Sequence, residues 1–230
     1  MVQTSRGKET HLRLGILGGT FDPIHLGHLC MAEETGEELH LEKVYLIPAA
    51  LPPHKEKNIS SFQDRLAMTR LAAQGSSSME VLDLEGRRPG FSYSIETLQE
   101  LHRLFGQPLD LFFILGLDVF LEIETWKDYR RMMDYCNLAV VERPGFHMEA
   151  WEAFVPRLQM GLQAGEQSNL FRAPNGNQLV ILNRITHLDL SSTLIREKIG
   201  QGRSVRFLVP ESVHHYIEEK RLYQPHGSTR

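Results

Sequence analysis

Residues 18–28 read GGTFDPIHLGH and follow directly on an apolar run at 12–17. The apolar run predicts a buried strand, and after Pro23 the chain is expected to enter a helix. Gly18 and Gly19 allow the backbone to approach a ligand closely, so that main-chain N–H groups can point at phosphate oxygens. The stretch therefore predicts a phosphate-binding loop between a strand and a helix.

Two histidines lie at the predicted start of that helix. His25 and His28 are three residues apart, so on a helical first turn they project from the same face. The positive end of the helix dipole favours an anion here. Zinc ligation is the alternative use of such a pair, but Gly27 between them leaves room for a phosphate chain and favours ligand access.

Short apolar runs alternate with amphipathic stretches along the rest of the chain. Further strands are predicted at 43–48, 79–84, 109–115, 137–142 and 179–183. Ser61 and Asp64 form a capping-box pattern ahead of one helix, and Ser94 to Gly106 delimits another. Strand and helix alternate at least four times, which predicts an α/β fold with a doubly wound parallel sheet. Ligands on such sheets bind beyond the carboxyl ends of the strands, at the switch point.

A second anion site is predicted at the start of a later helix. Ser191, Ser192 and Thr193 precede apolar positions at helical spacing, so they offer hydroxyls and N–H groups at a helix N-terminus. Arg196 adds a forked donor that suits phosphate. On these residues alone, a capped surface helix with a solvated arginine is an equal alternative.

Composition limits the classes of function. The chain has 230 residues, a hydrophobic content of 41% and a net charge of −4, so it can form a full core and does not attract nucleic acid. No stretch approaches the ~20 apolar residues of a membrane span, and the first residues lack a secretory core. Cys30 and Cys136 are expected to be reduced core residues, which favours a cytoplasmic location. A homo-oligomer is compatible with the sequence but is not decided by it.

The domain organisation is predicted from composition. A polar N-terminal tail is expected over 1–12, a single domain over 13–223 and a disordered C-terminal tail over 224–230. The polar stretch 161–178 is interpreted as a surface loop.

The signature resembles that of the HxGH nucleotidyltransferase superfamily, and closely resembles its nicotinate mononucleotide adenylyltransferase family. The similarity covers roughly residues 14–223 and is weak over 147–185. The other matching motifs are PPHK at 52–55, RPGFSYS at 88–94, GLD at 116–118, TW at 125–126, RPG at 143–145, LSSTLIR at 190–196 and LVP at 208–210.

This resemblance implies a Rossmann-like fold and the transfer of AMP from ATP to nicotinate mononucleotide, with Mg²⁺ bound mainly through the ATP phosphates and no dedicated protein metal site. His25 and His28 would be the catalytic pair. The residues implied for ATP and its phosphates are Gly18, Gly19, Thr20, Phe21, Lys55, Gly116, Asp118, Ser192, Thr193 and Arg196. Those implied for nicotinate mononucleotide are Tyr93, Ser94, Trp126 and Arg143.

The expected chemistry is direct in-line displacement, in which a histidine among phosphates is protonated because opposite charge favours the cation. Two alternatives remain open. One is another adenylyl- or cytidylyltransferase of the superfamily, such as one that acts on phosphopantetheine. The other is a non-catalytic nucleotide sensor, which would bind ATP without turnover.

Overall fold

The structure is a computed structural model that describes residues 12–53, 59–106, 108–142, 151 and 153–224. Its described strands form one sheet in the order β3-β2-β1-β4-β5-β8-β7-β6. The strands are β1 Leu12–Gly19, β2 Lys43–Pro48, β3 Met79–Val81, β4 Leu109–Gly116, β5 Asn137–Val141, β6 Gln163–Ala164, β7 Leu170–Arg172 and β8 Gln178–Leu182.

Strands β3, β2, β1, β4, β5 and β8 are parallel, whereas β7 and β6 continue the sheet as an antiparallel hairpin. The order reverses between β1 and β4, where Leu17 lies opposite Ile114. This is the switch point of a doubly wound sheet, so the predicted fold class is confirmed. The segments that follow β1 and β4 leave the same edge of the sheet side by side.

Helices cover both faces of the sheet. They are α1 Leu26–Glu38, α2 Phe62–Ala73, α3 Ser94–Phe105, α4 Leu117–Leu121, α5 Ser192–Gly200 and α6 Glu211–Lys220. Two buried apolar clusters result, one centred on Phe113 and Leu98 and the other on Ile114 and Met68. The alternation of Phe113 and Ile114 between the two clusters explains why the central strand is apolar at every position. Among the described residues, no helix is long and apolar enough to cross a membrane.

The predicted capping signals are confirmed. The hydroxyl of Ser61 accepts a hydrogen bond from the N–H of Asp64 at 3.1 Å, and α2 begins at the next residue after the serine. Gly106 ends α3 with φ +72°, a backbone conformation that favours glycine.

Two sequence predictions are wrong. The strand predicted at 79–84 ends at Val81, because Leu84–Arg87 winds into a 3-10 turn. The surface loop predicted at 161–178 contains β6 and β7, and Phe171 is buried in the apolar cluster that includes Phe113 and Leu98. Strands of two and three residues at a sheet edge are too short to carry a hydrophobic period, so composition alone did not reveal them.

Two further predictions concern the cysteines and the two ends of the chain. Cys136 is buried as expected, but Cys30 is only partly buried, and both are free thiols. The predicted tails at 1–12 and 224–230 lie almost wholly outside the described residues.

Asn137 links three parallel strands inside the sheet. Its amide nitrogen donates to the carboxylate of Asp110 and to the carbonyl of Leu111 at 3.1 Å, and its carbonyl accepts from the N–H of Gln178 at 2.8 Å. The side chain is 4% exposed. These bonds satisfy buried polar groups of β4 and the start of β8.

We expect Asn137→Ala to lower the free energy of unfolding by about 3 kcal/mol, because removing the amide leaves several buried partners unsatisfied. Asn169→Ala is the matched control, since the Asn169 amide makes a single bond of 3.1 Å to the carbonyl of Ile181. It should cost about 1 kcal/mol. Urea unfolding measures both changes, and equal losses would contradict this account of Asn137.

Candidate active site

The predicted histidine pair is formed at the start of α1. His25 is the N-cap residue and His28 is the third helical residue, and their rings stack with centroids 3.6 Å apart. The backbone N–H of His25 donates to Nδ1 of His28 at 3.2 Å. Phe21 packs edge-on against the ring of His28 at 5.0 Å. The two imidazoles therefore occupy one face, as their spacing predicted.

His25 is buried, with 5% of its surface exposed, and within the described part of the chain its Nδ1 has no hydrogen-bond partner. Burial lowers the pKa of His25 from 6.5 to about 4, because the charged imidazolium is poorly solvated there. The fold by itself therefore favours the neutral imidazole at neutral pH. The expected protonated histidine thus requires phosphates to be present, because the protein alone favours the uncharged ring.

Gly27 packs closely against the ring of His25. A Cβ atom at this position would lie 3.1 Å from Nδ1 of His25 and 3.6 Å from the carbonyl oxygen of Leu188. The first contact is tighter than most Cβ atoms tolerate, so glycine at this position allows the backbone of α1 to pack closely on the His25 ring.

The backbone before the histidines brings the other signature residues to the same edge of the sheet. Gly18 is exposed, while Gly19 and Thr20 are partly buried at the end of β1. A Cβ at Gly19 would lie 2.8 Å from the ring of Phe21. Phe21 itself adopts φ +49° and buries its ring in the core. Any contact of Phe21 with a phosphate would therefore come from its backbone.

One N–H group at the start of α1 is already used. Leu26 donates its N–H to the carbonyl of Leu208 at 3.0 Å, which ties the segment before α6 to the signature helix. Because the N–H of Leu26 is bonded within the protein, the start of α1 offers fewer N–H groups for an anion than the sequence indicated.

The second predicted anion site docks onto the first. The hydroxyl of Ser192 donates to the carbonyl of Pro23 at 2.9 Å, and Arg196 donates to the carbonyl of Asp22 at 2.8 Å. Arg196 also donates to the hydroxyl of Thr193 at 3.2 Å. The start of α5 and the histidine-bearing turn thus form one unit.

The cap of α5 is Ser191, whose hydroxyl accepts from the N–H of Leu194 at 3.1 Å. Ser192 therefore does not cap this helix and instead holds the neighbouring turn. Thr193 is exposed in the first turn.

The predicted residues on β4 lie next to this unit. Gly116 ends the strand and is the N-cap of α4, and Asp118 is exposed in the first turn of that helix. A Cβ at Gly116 would lie an ordinary 3.7 Å from the side chain of Met31. This position therefore does not demand glycine on steric grounds within the ligand-free protein.

Tyr93, Ser94 and Trp126, three of the residues predicted to bind the mononucleotide, lie in two segments that are in contact. Tyr93 is the N-cap residue and Ser94 the first helical residue. Trp126 packs edge-on against Phe113 at 6.0 Å, and the ammonium of the following Lys127 lies 4.5 Å from the ring of Tyr93. The structure thus brings the two segments together. The predicted residues Lys55 and Arg143 lie outside the described residues.

Three polar residues that frame the site were not predicted from the sequence: the buried Arg65 and Asp22 and the partly buried Tyr223. Arg65 is 0% exposed and donates to the carbonyls of Thr20 at 2.7 Å and Ala49 at 2.6 Å. Its position offered a signal, because Arg65 shares a helical phase with the buried Met68. A charged residue in a core phase indicates a specific buried partner.

Comparison with known proteins agrees with this geometry. The family model described as cytidylyltransferase-like matches residues 16–198, so the chain belongs to this class of proteins. The matched range includes both the histidine pair and the start of α5.

Relatives narrow the class. The chain is 44% identical over 221 residues to a probable nicotinate-nucleotide adenylyltransferase of Desulfatibacillum aliphaticivorans, with 92% of this chain and 100% of the relative covered. It is 45% identical to the corresponding protein of Geobacter metallireducens, with 92% and 98% covered. By these relationships the chain belongs to the nicotinate-nucleotide adenylyltransferase family.

A solved structure shares the fold. Plasmodium falciparum nicotinic acid mononucleotide adenylyltransferase, solved in complex with NaAD, superposes with a TM-score of 0.72. It covers 93% of this chain and 98% of its own, at 18% identity. The likeness supports the Rossmann-like architecture predicted from the sequence.

The buried, neutral imidazole makes stability depend on pH. The unfolded chain protonates His25 with a pKa near 6.5 and the folded chain only near 4, so folding becomes less favourable as pH falls through this window. The shift corresponds to on the order of 3 kcal/mol, fully present above pH 6.5.

We therefore expect the difference in unfolding free energy between wild type and His25→Gln to shrink as pH is lowered from 6.5 to 4. Urea unfolding at a series of pH values measures it. Curves that remain parallel across this range would show that His25 is not held neutral by the fold.

Proposed function

We propose that this protein transfers the adenylyl group of MgATP to nicotinate mononucleotide, giving deamido-NAD and pyrophosphate. The observation that carries the proposal is the stacked pair His25 and His28, placed at the switch point on a turn to which the start of α5 is docked. Membership in a family whose relatives bear this name supports the substrate assignment.

The reaction is a direct displacement. An oxygen of the mononucleotide 5′-phosphate forms a bond to the α-phosphorus of ATP, while the bond from that phosphorus to the bridging oxygen breaks and pyrophosphate leaves with the electron pair. The attacking phosphate has a second pKa of ~6 and is already ionised at neutral pH, so no strong general base is needed. Catalysis then consists of positioning and stabilisation of charge.

The histidines supply donors where negative charge accumulates. His25 enters the reaction as a neutral ring with an unpartnered Nδ1, and the arriving triphosphate favours its protonation. The protonated ring can then donate to the α-phosphate and the leaving group. Since His25 is buried, such a donor acts in a medium of low dielectric constant and is worth more than in water.

The start of α5 completes the phosphate site. Arg196 uses its guanidinium to fix the carbonyl of Asp22, and its remaining N–H donors are assigned to the phosphates. Gly18, Gly19 and Thr20 are assigned to the same ligand through their backbone, together with Lys55. Asp118 is assigned to the ribose of ATP, since a carboxylate at a strand end accepts hydroxyl donors.

The mononucleotide is assigned to the neighbouring face. The contact of Lys127 with Tyr93 supports a shared pocket for Tyr93, Ser94 and Trp126, because it brings the start of α3 beside the segment after β4. Trp126 would stack on the pyridine ring, and Arg143 would complete the contacts.

In this proposal, magnesium is part of the substrate MgATP. Both carboxylate oxygens of Asp22 are already hydrogen-bonded, to Tyr223 and to the N–H of Ser60. Among the described residues, a group of three metal-ligating side chains is formed by Glu211, His214 and His215 on α6, away from the histidine pair in sequence. Mg²⁺ is therefore expected to be held by phosphates and water, which it releases reluctantly.

We place the reaction in the cytoplasm. Both cysteines are free thiols, as in reducing compartments. The substrates ATP and mononucleotide are also products of intracellular metabolism.

A pyrophosphate-release assay with MgATP tests the substrate. We expect release with nicotinate mononucleotide and at least tenfold slower release with nicotinamide mononucleotide under matched conditions. Release only with phosphopantetheine would instead support the alternative transferase, and ATP binding without release for any acceptor would support a nucleotide sensor.

His28→Ala tests the catalytic pair. Losing one preorganised donor typically costs ~100- to 1,000-fold in turnover, and we expect a loss of that size with the fold retained. His215→Ala on α6 is the control and should keep wild-type kcat. Circular dichroism verifies folding, and near-normal turnover of His28→Ala would defeat the proposed role.

A further inference from the structure

The turn that precedes His25 is hydrogen-bonded to a buried cation, the guanidinium of Arg65. Arg65 donates to the carbonyls of Thr20, Ala49, Ala50 and Ser60, at distances of 2.6–3.1 Å. Its guanidinium thus joins the end of β1, the end of β2 and the segment before α2. Four bonds from one planar group fix the relative position of three backbone segments.

The same turn contains a buried anion. Asp22 is 1% exposed, and one of its carboxylate oxygens accepts from the N–H of Ser60 at 3.2 Å. The other accepts from the hydroxyl of Tyr223 at 2.7 Å. Tyr223 lies 201 residues further along the chain, so the last described segment closes onto the signature turn.

Unusual backbone conformations flank this contact. Tyr223 has φ +64° and Arg221 has φ +52°, while Phe21 on the other side has φ +49°. Non-glycine residues in this region cost on the order of 1 kcal/mol or more each and persist where the surrounding structure requires them. The chain after α6 is thus bent so that Tyr223 reaches Asp22.

Burial keeps the tyrosine a donor. The pKa of Tyr223 is raised well above its ordinary value, first by burial and then by the negative charge of Asp22. The hydroxyl of Tyr223 therefore remains protonated, and able to donate, at neutral pH.

We propose that Tyr223 is a positioning residue for the reaction, which fixes the histidine-bearing turn in its reactive geometry through the carboxylate of Asp22. The inference rests on the proposed function for its kinetic test. Asp22 precedes His25 by three residues, and the carbonyl of Asp22 also receives Arg196. A shift of this residue therefore reaches both the catalytic imidazole and the phosphate-binding arginine.

The expected consequence concerns rate more than stability. Without the tyrosine hydroxyl, one oxygen of a buried carboxylate loses its donor, and the turn relaxes to find another. Displacements below 1 Å at a donor cost rate because the donor must match the transition state. A bond that served only folding would change stability and leave kcat/KM unaltered.

The chain contains a matched control. Tyr216 donates its hydroxyl to the carboxylate of Asp64 at 2.9 Å, and like Tyr223 it is partly buried. Its pKa is also raised, to about 12, by burial and by the charge of Asp64. Both bonds join the C-terminal segment to the rest of the domain, but the bond of Tyr216 does not touch the signature turn.

Tyr223→Phe and Tyr216→Phe are therefore compared by steady-state kinetics with MgATP and nicotinate mononucleotide, well below both melting temperatures. We expect kcat/KM to fall at least fivefold in Tyr223→Phe, mainly through kcat, and to stay within twofold of wild type in Tyr216→Phe. Both variants should melt below wild type. Equal kinetic effects of the two variants would overturn the proposal.

Amide hydrogen exchange on the ligand-free proteins gives a second readout that needs no substrate. Exchange over residues 18–29 should be at least tenfold faster in Tyr223→Phe than in wild type, and unchanged in Tyr216→Phe. Equal exchange in both variants would overturn the positioning role. If the wild-type protein released no pyrophosphate, the proposed function would fail, and the exchange comparison would still decide whether Tyr223 fixes the turn.

Discussion

The turn from Thr20 to His25 must be held without a sheet ladder, and the site depends on how this is done. The residues of this turn follow β1 and are largely buried, so each of their carbonyl groups needs a hydrogen-bond donor. Arg65 donates to the carbonyl of Thr20, Arg196 to that of Asp22 and Ser192 to that of Pro23. Three side chains from two helices thus supply the hydrogen bonds that a neighbouring strand would otherwise provide. Because these helices flank the sheet edge, the turn is fixed where ligands of doubly wound sheets bind.

Burial has different consequences for the charges of Arg65 and His25. Arg65 keeps its charge because a guanidinium is very hard to deprotonate, although burial lowers its pKa. His25 instead loses its proton, since its pKa falls to about 4. Burial thus favours the neutral imidazole of His25, whereas nearby negative charge would favour its protonated form. Under the proposed function, phosphate binding would therefore be accompanied by proton uptake at His25.

The sequence predicted the fold and the histidine pair for local reasons. Apolar runs, caps at Ser61 and Gly106, and the three-residue spacing of His25 and His28 depend only on neighbours in the chain. The bond between Asp22 and Tyr223 could not be predicted, because the spacing of such distant residues carries no periodic signal. The hairpin of β6 and β7 was missed for a different reason, since its strands are too short to show a pattern.

From the sequence, Ser192 and Arg196 of α5 could be either phosphate ligands or solvated residues of a surface helix. Solvated surface residues and phosphate ligands are both exposed at a helix start, but here Ser192 and Arg196 first contact the neighbouring turn. Two of the five N–H donors of the Arg196 guanidinium serve Asp22 and Thr193, so the group is oriented before any ligand arrives. An arginine fixed in this way loses less conformational entropy when it binds an anion. The contacts that hold the turn in place therefore also orient the arginine that is proposed to bind phosphate, and the two segments that the sequence predicted as anion sites form one structural unit.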